Sequence, residues 1–160
     1  MSDSKEIKRS LQNSIKILYV ALEETPKMIL LFNQPEFVHK ESQEKWSKQE
    51  ILGHLCDSAV INYRRFVNIL LNDGPIQILT YPQNELVELH DYQNRHNRAE
   101  LLAWWEQLNK QIVSLMEHVD AEQWNKQCIL ADGTPTTLRW LFDNYYLDHM
   151  IHHLKQIENR

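Results

Sequence analysis

The C-terminal stretch LDHMIHHLKQIENR, residues 147–160, places three of the chain's eight histidines within five positions. In a helix, His149 and His153 stand four residues apart and stack on one face, roughly 5–6 Å apart at their Cβ atoms. Two imidazoles on one rigid face can hold a single metal ion, as helical His-x-x-x-His arrangements do in metalloenzymes. His152 sits about 100° around the helix from His153, which makes it the outlier, although its spacing of three from His149 keeps it among the candidates. The pair also reads as two hydrogen-bonded interior histidines, so a third ligand from another element has to decide. WSKQEILGHLCDSAVINYRRF, residues 46–66, offers His54 beside the inward Leu55 and one turn before Ser58. A histidine from a facing helix completes a three-histidine site with a coordination position open for water or substrate.

Around these ligands stand residues that would tune them. Asp57, three positions after His54, shares its face and is placed to accept the second ring N–H; it is also the nearest candidate for a general base. Gln156, three after His153, is placed to serve the same way or to line the cavity. Imidazole ligands favour zinc, copper, iron or nickel over magnesium or calcium, with zinc or nickel the expected ion. Cys56 lies two positions from His54, faces away from it and reads as a buried thiol. A di-iron bundle needs two Glu-x-x-His motifs on helices; the one match, Glu36 with His39, falls in a loop.

The elements that must position these residues follow from spacing. Ile7, Leu11, Ile15, Leu18 and Leu22 predict a first helix over residues 4–24, broken or restarted at Pro26. Ser47 with Glu50 three residues on is a capping box, and Trp46 with Ile51 a hydrophobic staple, opening a second helix that NDGP ends near residue 72. Leu101, Trp105, Leu108, Ile112, Leu115 and Val119 mark a third helix over residues 95–118. A fourth begins at Thr136 or Thr137 and turns Leu138, Leu141, Phe142 and Tyr145 inward on the way to His149. The link between helices two and three, residues 72–93, exceeds the ~2–8 residues usual in bundles, so it crosses over, holds a short helix or borders the site. The link before the fourth helix has an Asp-Gly turn signal for a small hairpin. His118 is placed to answer the negative end of the third helix, and His39, His90 and His96 are expected at the surface. Of Trp104 and Trp105, both read as core, with one a candidate for a pocket wall.

Composition agrees with an all-α four-helix bundle occupying residues 1–160 as one domain. Apolar residues make up 42% of the 160, with only 3 Gly and 5 Pro to interrupt helices. Seventeen basic against 22 acidic residues give a net charge of −5, and the lack of a basic stripe argues against nucleic acid as partner. MSDSKEIKRS lacks an apolar signal core, and no run approaches the ~18 apolar residues of a membrane span. Two cysteines are too few for a disulfide framework and fit a reducing cytoplasm.

The two quoted segments resemble the signature segments of the DinB-like family, of which the YfiT-type proteins are a branch. The resemblance spans nearly the whole chain and implies a four-helix bundle and a metal-dependent enzyme. It puts His54, His149 and His153 on the family's three metal ligands, Gln156 on the glutamine after the last of them, and Trp46-Ser47 on its Trp-Ser helix start. Lys155 departs from the small residue common before that glutamine, and NELVELHDY lacks the tryptophan often found in the long link. The resemblance further implies a small-molecule substrate, hydrolase chemistry or transfer of a low-molecular-weight thiol such as bacillithiol or mycothiol, and pairing into homodimers. The competing function class is a bundle that binds metal or a partner without turnover.

Overall fold

A computed structural model of the chain describes the backbone of residues 3–159 and the side chains from residue 12 onward. Helix α1 spans Asp3–Leu30 and α2 Gln34–Val38; α3, Lys48–Leu71, is followed by strand β1 (Ile76–Ile78) and helices α4 (Gln83–His90), α5 (Tyr92–Arg95) and α6 (Arg98–Met116). Next come α7 (Ala121–Trp124), β2 (Gln127–Leu130), β3 (Pro135–Thr137), and a last helix built from α8 (Leu138–Trp140), a π-helical segment (Leu141–Leu147) and α9 (Asp148–Glu158). Helix α1 packs on α6, α6 on α3, α3 on α9 and α9 back on α1. That closed ring is the expected all-α four-helix bundle, with a small sheet added at one end.

The expected start of the second helix is present as local chemistry, whereas the third begins at Arg98 and not at residue 95, which closes the short helix α5. Ser47 Oγ accepts from the Glu50 amide at 3.2 Å while Glu50 Oε2 accepts from the Ser47 amide at 2.8 Å; Asn97 and Glu100 repeat the device on α6. Such caps each contribute about 1 kcal/mol by satisfying amides the first helical turn leaves without partners. Pro26 does not break α1, which runs through it to Leu30. A proline deletes one backbone bond, and the buried Thr25 and Ile29 on either side of it hold the helix by packing. The inward positions expected at Ile7 and Leu11 lie outside the described side chains.

The last helix departs from the expected phase. Tyr146, not Tyr145, enters the core: it is 1% exposed against 38% for its neighbour, and its hydroxyl donates to Asn109 Oδ1. The reason is the π turn, whose i→i−5 bond from the Asp148 amide to the Asp143 carbonyl moves the core-facing position after Leu141 five residues along. Phe66 secures this end edge-to-face against Phe142 and Tyr146, at 5.6 and 5.8 Å between ring centroids.

Both links carry regular structure, with the short helices α4 and α5 in the first. The predicted hairpin forms between β2 and β3, with Gly133 at φ +87° in its turn, and β1 adds in parallel, Ile76 opposite Cys128. Lys126 Nζ donates to the carbonyls of Leu70 and Asn72 at 2.8 and 2.9 Å, closing the C-terminus of α3. The long link lies on α3 through Gln49, Gly53 and Asp57, four residues apart. The buried Gln49 donates to the carbonyls of Tyr92 and His96 at 2.7 and 2.8 Å. A Cβ on Gly53 would stand 2.3 Å from the Tyr92 ring, so glycine is what permits the approach.

Candidate metal centre

Two polar stripes face each other across antiparallel α3 and the last helix. On α3 they are His54, Ser58, Asn62 and Arg65, and on the other helix Tyr145, His149, His153 and Gln156, each at steps of four, four and three. Three members of the first stripe are nearly inaccessible: His54 is 0%, Ser58 1% and Asn62 2% exposed. Where the stripes meet, His149 Nε2 stands 3.0 Å from His54 Nε2 and 3.1 Å from His153 Nε2. The ligand atoms of all three histidines lie within 4.8 Å of one another. Nitrogens each about 2.0–2.1 Å from one zinc ion stand about 2.9–3.4 Å apart over tetrahedral to octahedral angles; the two separations at His149 have these dimensions, and the His54–His153 pair lies within the same 4.8 Å cluster.

The outer ring nitrogens prepare the inner ones. Gln156 Oε1 lies 2.8 Å from His153 Nδ1; an amide oxygen only accepts, so the proton sits on Nδ1 and Nε2 presents its lone pair. Ser58 Oγ lies 3.4 Å from His149 Nδ1 and also takes a bond from Asn62 Nδ2 at 3.3 Å. Burial drives the pKa of His54 down to about 3, helped by repulsion from His153 and then His149. Burial, then His153 and His152, takes that of His149 down to about 4. Both rings are therefore neutral near pH 7, and with a third lone pair beside them they form a donor set that suits a cation. Trp46, half-buried, covers the site, its ring centroid 4.8 Å from that of His54 and 6.3 Å from that of His153.

Asp57 does not take the place expected of it. Its Oδ1 accepts from the Tyr92 hydroxyl at 2.7 Å and lies 3.0 Å from His90 Nδ1, while His54 Nδ1 and Asp57 Oδ2 are both buried without a hydrogen-bond partner. The i, i+3 spacing puts Asp57 beside His54 in sequence, but the link draws its carboxylate around to the α4–α5 side of α3. His90, expected at the surface, is thereby part of a buried carboxylate's environment. His152 is exposed and outside the cluster. Cys56 is a buried thiol, its Sγ 3.6 Å from the Leu101 carbonyl and its pKa raised by burial. Trp105 is core, whereas Trp104 is 47% exposed and lines a cavity with Asp57, Val60 and Tyr92.

Spacing arguments aimed at apolar stripes missed Ser58, Asn62, Arg65 and Tyr81. Tyr81 comes from the link between α3 and α6. With Arg65, Tyr145 and His149 it lines a cavity of about 350 Å³. On the other side of the cluster Trp46, His153 and Gln156 border a cleft of about 260 Å³. The triad is thus reachable from two directions, and among the described residues no fourth ligand closes it.

The sequence matches the DinB superfamily over residues 18–157, and the chain belongs to that superfamily. Among solved structures, YfiT from Bacillus subtilis, a probable metal-dependent hydrolase with an unusual four-helix bundle topology, is similar at a TM-score of 0.80 and 19% identity, over 96% of this chain and 88% of that one. A mycothiol-dependent maleylpyruvate isomerase is similar at 0.69 and 14% identity, over 90% of this chain; the chain spans 59% of that protein. At these identities the likeness establishes the fold. No curated protein is a significant match.

Proposed function

We propose that this member of the DinB superfamily holds one divalent transition-metal ion, zinc or nickel, on His54, His149 and His153 and acts as a metal-dependent hydrolase or a low-molecular-weight thiol S-transferase. The observation that carries the reading is the convergence of three imidazole Nε2 atoms from two helices, beside a cavity and without a fourth protein ligand. When bound, such an ion supplies Lewis acidity, bringing the pKa of a coordinated water or thiol toward neutrality. The residues of this chain supply the rest. Gln156 and Ser58 hold two of the rings in orientation, Trp46 shields the imidazoles, and the Tyr81–Tyr145 cavity receives the substrate. The neighbours, a probable metal-dependent hydrolase and a mycothiol-dependent isomerase, support the two chemistries named.

A catalytic rather than purely structural site is favoured because structural zinc is closed by four protein ligands. A homodimer belongs to the same proposal, supported by the apolar groove that Ile17 and Val20 of α1 line with Ile151 and Leu154 of α9; sedimentation velocity measures it. Both free cysteines are buried, which accords with a cytoplasmic location.

Elemental analysis of untagged protein beside the double variant His149→Ala/His153→Ala tests the metal. The expected result is near-stoichiometric zinc or nickel in the parent, lost in a variant whose helical circular dichroism persists. A parent that takes up neither metal after incubation with both overturns the proposal.

A further inference from the structure

The polar cavity beside His149 has a feature that neither the metal nor packing uses. Arg65 of α3 is half-buried there, donating from one terminal nitrogen to Asn62 Oδ1 at 3.1 Å and from the other to the Leu79 carbonyl. Among the described residues no carboxylate pairs with it. A guanidinium carries five N–H donors, so these two bonds leave most of its capacity unspent. Burying a cation away from water is costly unless an anion or several oxygens answer it; here two neutral oxygens answer it in part, and burial pulls its pKa below the ordinary arginine value.

The surroundings select what would complete it. The cavity lining is Asn62, Thr80, Tyr81, Gln83, Asn144 and Tyr145 besides Arg65 and His149, with no acidic side chain, in a chain of net charge −5. Amides and hydroxyls donate to an anion without repelling it. The Tyr81 ring lies 5.6 Å from Arg65 Cζ and covers one face of the guanidinium, leaving the in-plane N–H groups as the free donors. A planar, two-oxygen anion matches a planar fork of donors. His149 of the triad lines the same cavity of about 350 Å³, so a small molecule bound there has both Arg65 and His149 in the walls around it.

We propose that Arg65 is the counter-ion of a substrate carboxylate, so that the cavity takes small carboxylate-bearing molecules whose reacting end lies at the histidine triad. The inference deepens the metal-site reading and rests on it for what happens at the far end. Asn62 and the Leu79 carbonyl set the plane of the guanidinium, and the link carrying Tyr81 closes over it. Arg65 is a specificity residue in this scheme.

The test titrates 3-mercaptopropionate, 3-mercaptopropionamide and 2-mercaptoethanesulfonate, by calorimetry, into zinc-loaded and metal-free protein. The carboxylate binds the loaded parent at least about tenfold more tightly than the amide, as a charge-assisted bidentate pair requires. The metal-free protein keeps that ratio at weaker overall affinity. Arg65→Gln brings the ratio to near unity in both forms, and Arg65→Lys, which keeps the charge if the glutamine variant does not fold, retains only part of it. A parent without carboxylate preference in either form, or a preference that survives Arg65→Gln, overturns the assignment. Preference for the sulfonate overturns the carboxylate class in favour of a tetrahedral oxyanion. Carboxylate preference intact but unaffected in strength by zinc leaves Arg65 standing and sinks the metal anchoring instead.

Discussion

Gln156 Oε1 receives the Nδ1 proton of His153 over 2.8 Å, from one turn further along α9. The contact fixes a tautomer, because the amide oxygen cannot donate, and so aims the Nε2 lone pair at His149 and His54. Partners of this kind typically contribute tenfold to a hundredfold to metal affinity. Gln156→Leu is therefore expected to weaken zinc binding by about that factor, as measured by competition with a chromophoric chelator, while thermal stability of the metal-free protein changes little. His118→Ala, an exposed histidine outside the cluster, is the control and leaves affinity unchanged.

The same histidines make the metal-free protein sensitive to acid. The pKa of His54 is about 3 and that of His149 about 4, both below the ordinary 6.5. Between those values the unfolded chain binds protons that the folded chain refuses. Their contribution to stability is thus complete above pH 6.5 and falls as pH drops toward 4 and then 3, by up to about 1.4 kcal/mol per pH unit for each imidazole. Urea midpoints of metal-free protein across this range should show the decline, and His149→Asn should flatten it. A slope that His149→Asn leaves unchanged contradicts a neutral, buried pair of His54 and His149.

Gly53 and Gly74 give a paired prediction about the long link. A methyl group at position 53 collides with the Tyr92 ring at 2.3 Å, whereas one at 74 meets nothing within 4 Å. Gly53→Ala is expected to cost about 1–3 kcal/mol, the range for overpacking a tight interior. Gly74→Ala is expected to be neutral or stabilising by about 0.4–1 kcal/mol through the unfolded chain. Denaturant midpoints decide both, and equal values for the two variants contradict the close docking of α5 on α3.

How far the fold could be read beforehand follows from where its information lies. The Ser47–Glu50 capping box and the long apolar stripe of α6 are local, and each was legible from a few neighbouring residues. The His149–His153 pair was legible for the same reason, since helical spacing alone puts both on one face. The Tyr145 phase was not, because a π turn has no local signature in LFDNYYL and shows only once Tyr146 finds Asn109. Asp57 was misplaced because spacing gives a face but not a rotamer, and the competing Tyr92 and His90 arrive from a link whose docking is tertiary. Parallel pairing of β1 with β2 joins segments about fifty residues apart, beyond any local pattern. The polar stripe His54–Ser58–Asn62–Arg65 was present in the sequence, and a search for buried polar periodicity in place of apolar periodicity would have found it.

Asp57 supplies the last prediction, because its geometry separates a structural role from a role at the metal. Its carboxylate is 6% exposed, accepts from Tyr92 and makes no bond to His54. Burial raises its pKa above the ordinary carboxylate value, against the lowering effects of Tyr92 and His90. The folded state consequently keeps this proton to higher pH than the unfolded chain, so the group's contribution to stability declines as pH rises through that interval. Tyr92→Phe keeps the ring over Gly53 but removes the donor, and leaving a buried acceptor short of a partner costs about 1–3 kcal/mol. In an Asp57→Asn background, where the acceptor is neutral, the same change is expected to cost distinctly less, giving a coupling energy in the double-mutant cycle. Zinc affinity should be unchanged in all three variants. A tenfold or greater loss of zinc affinity in Asp57→Asn would show instead that this carboxylate orients His54 after all, with the bond to Tyr92 giving way when metal binds.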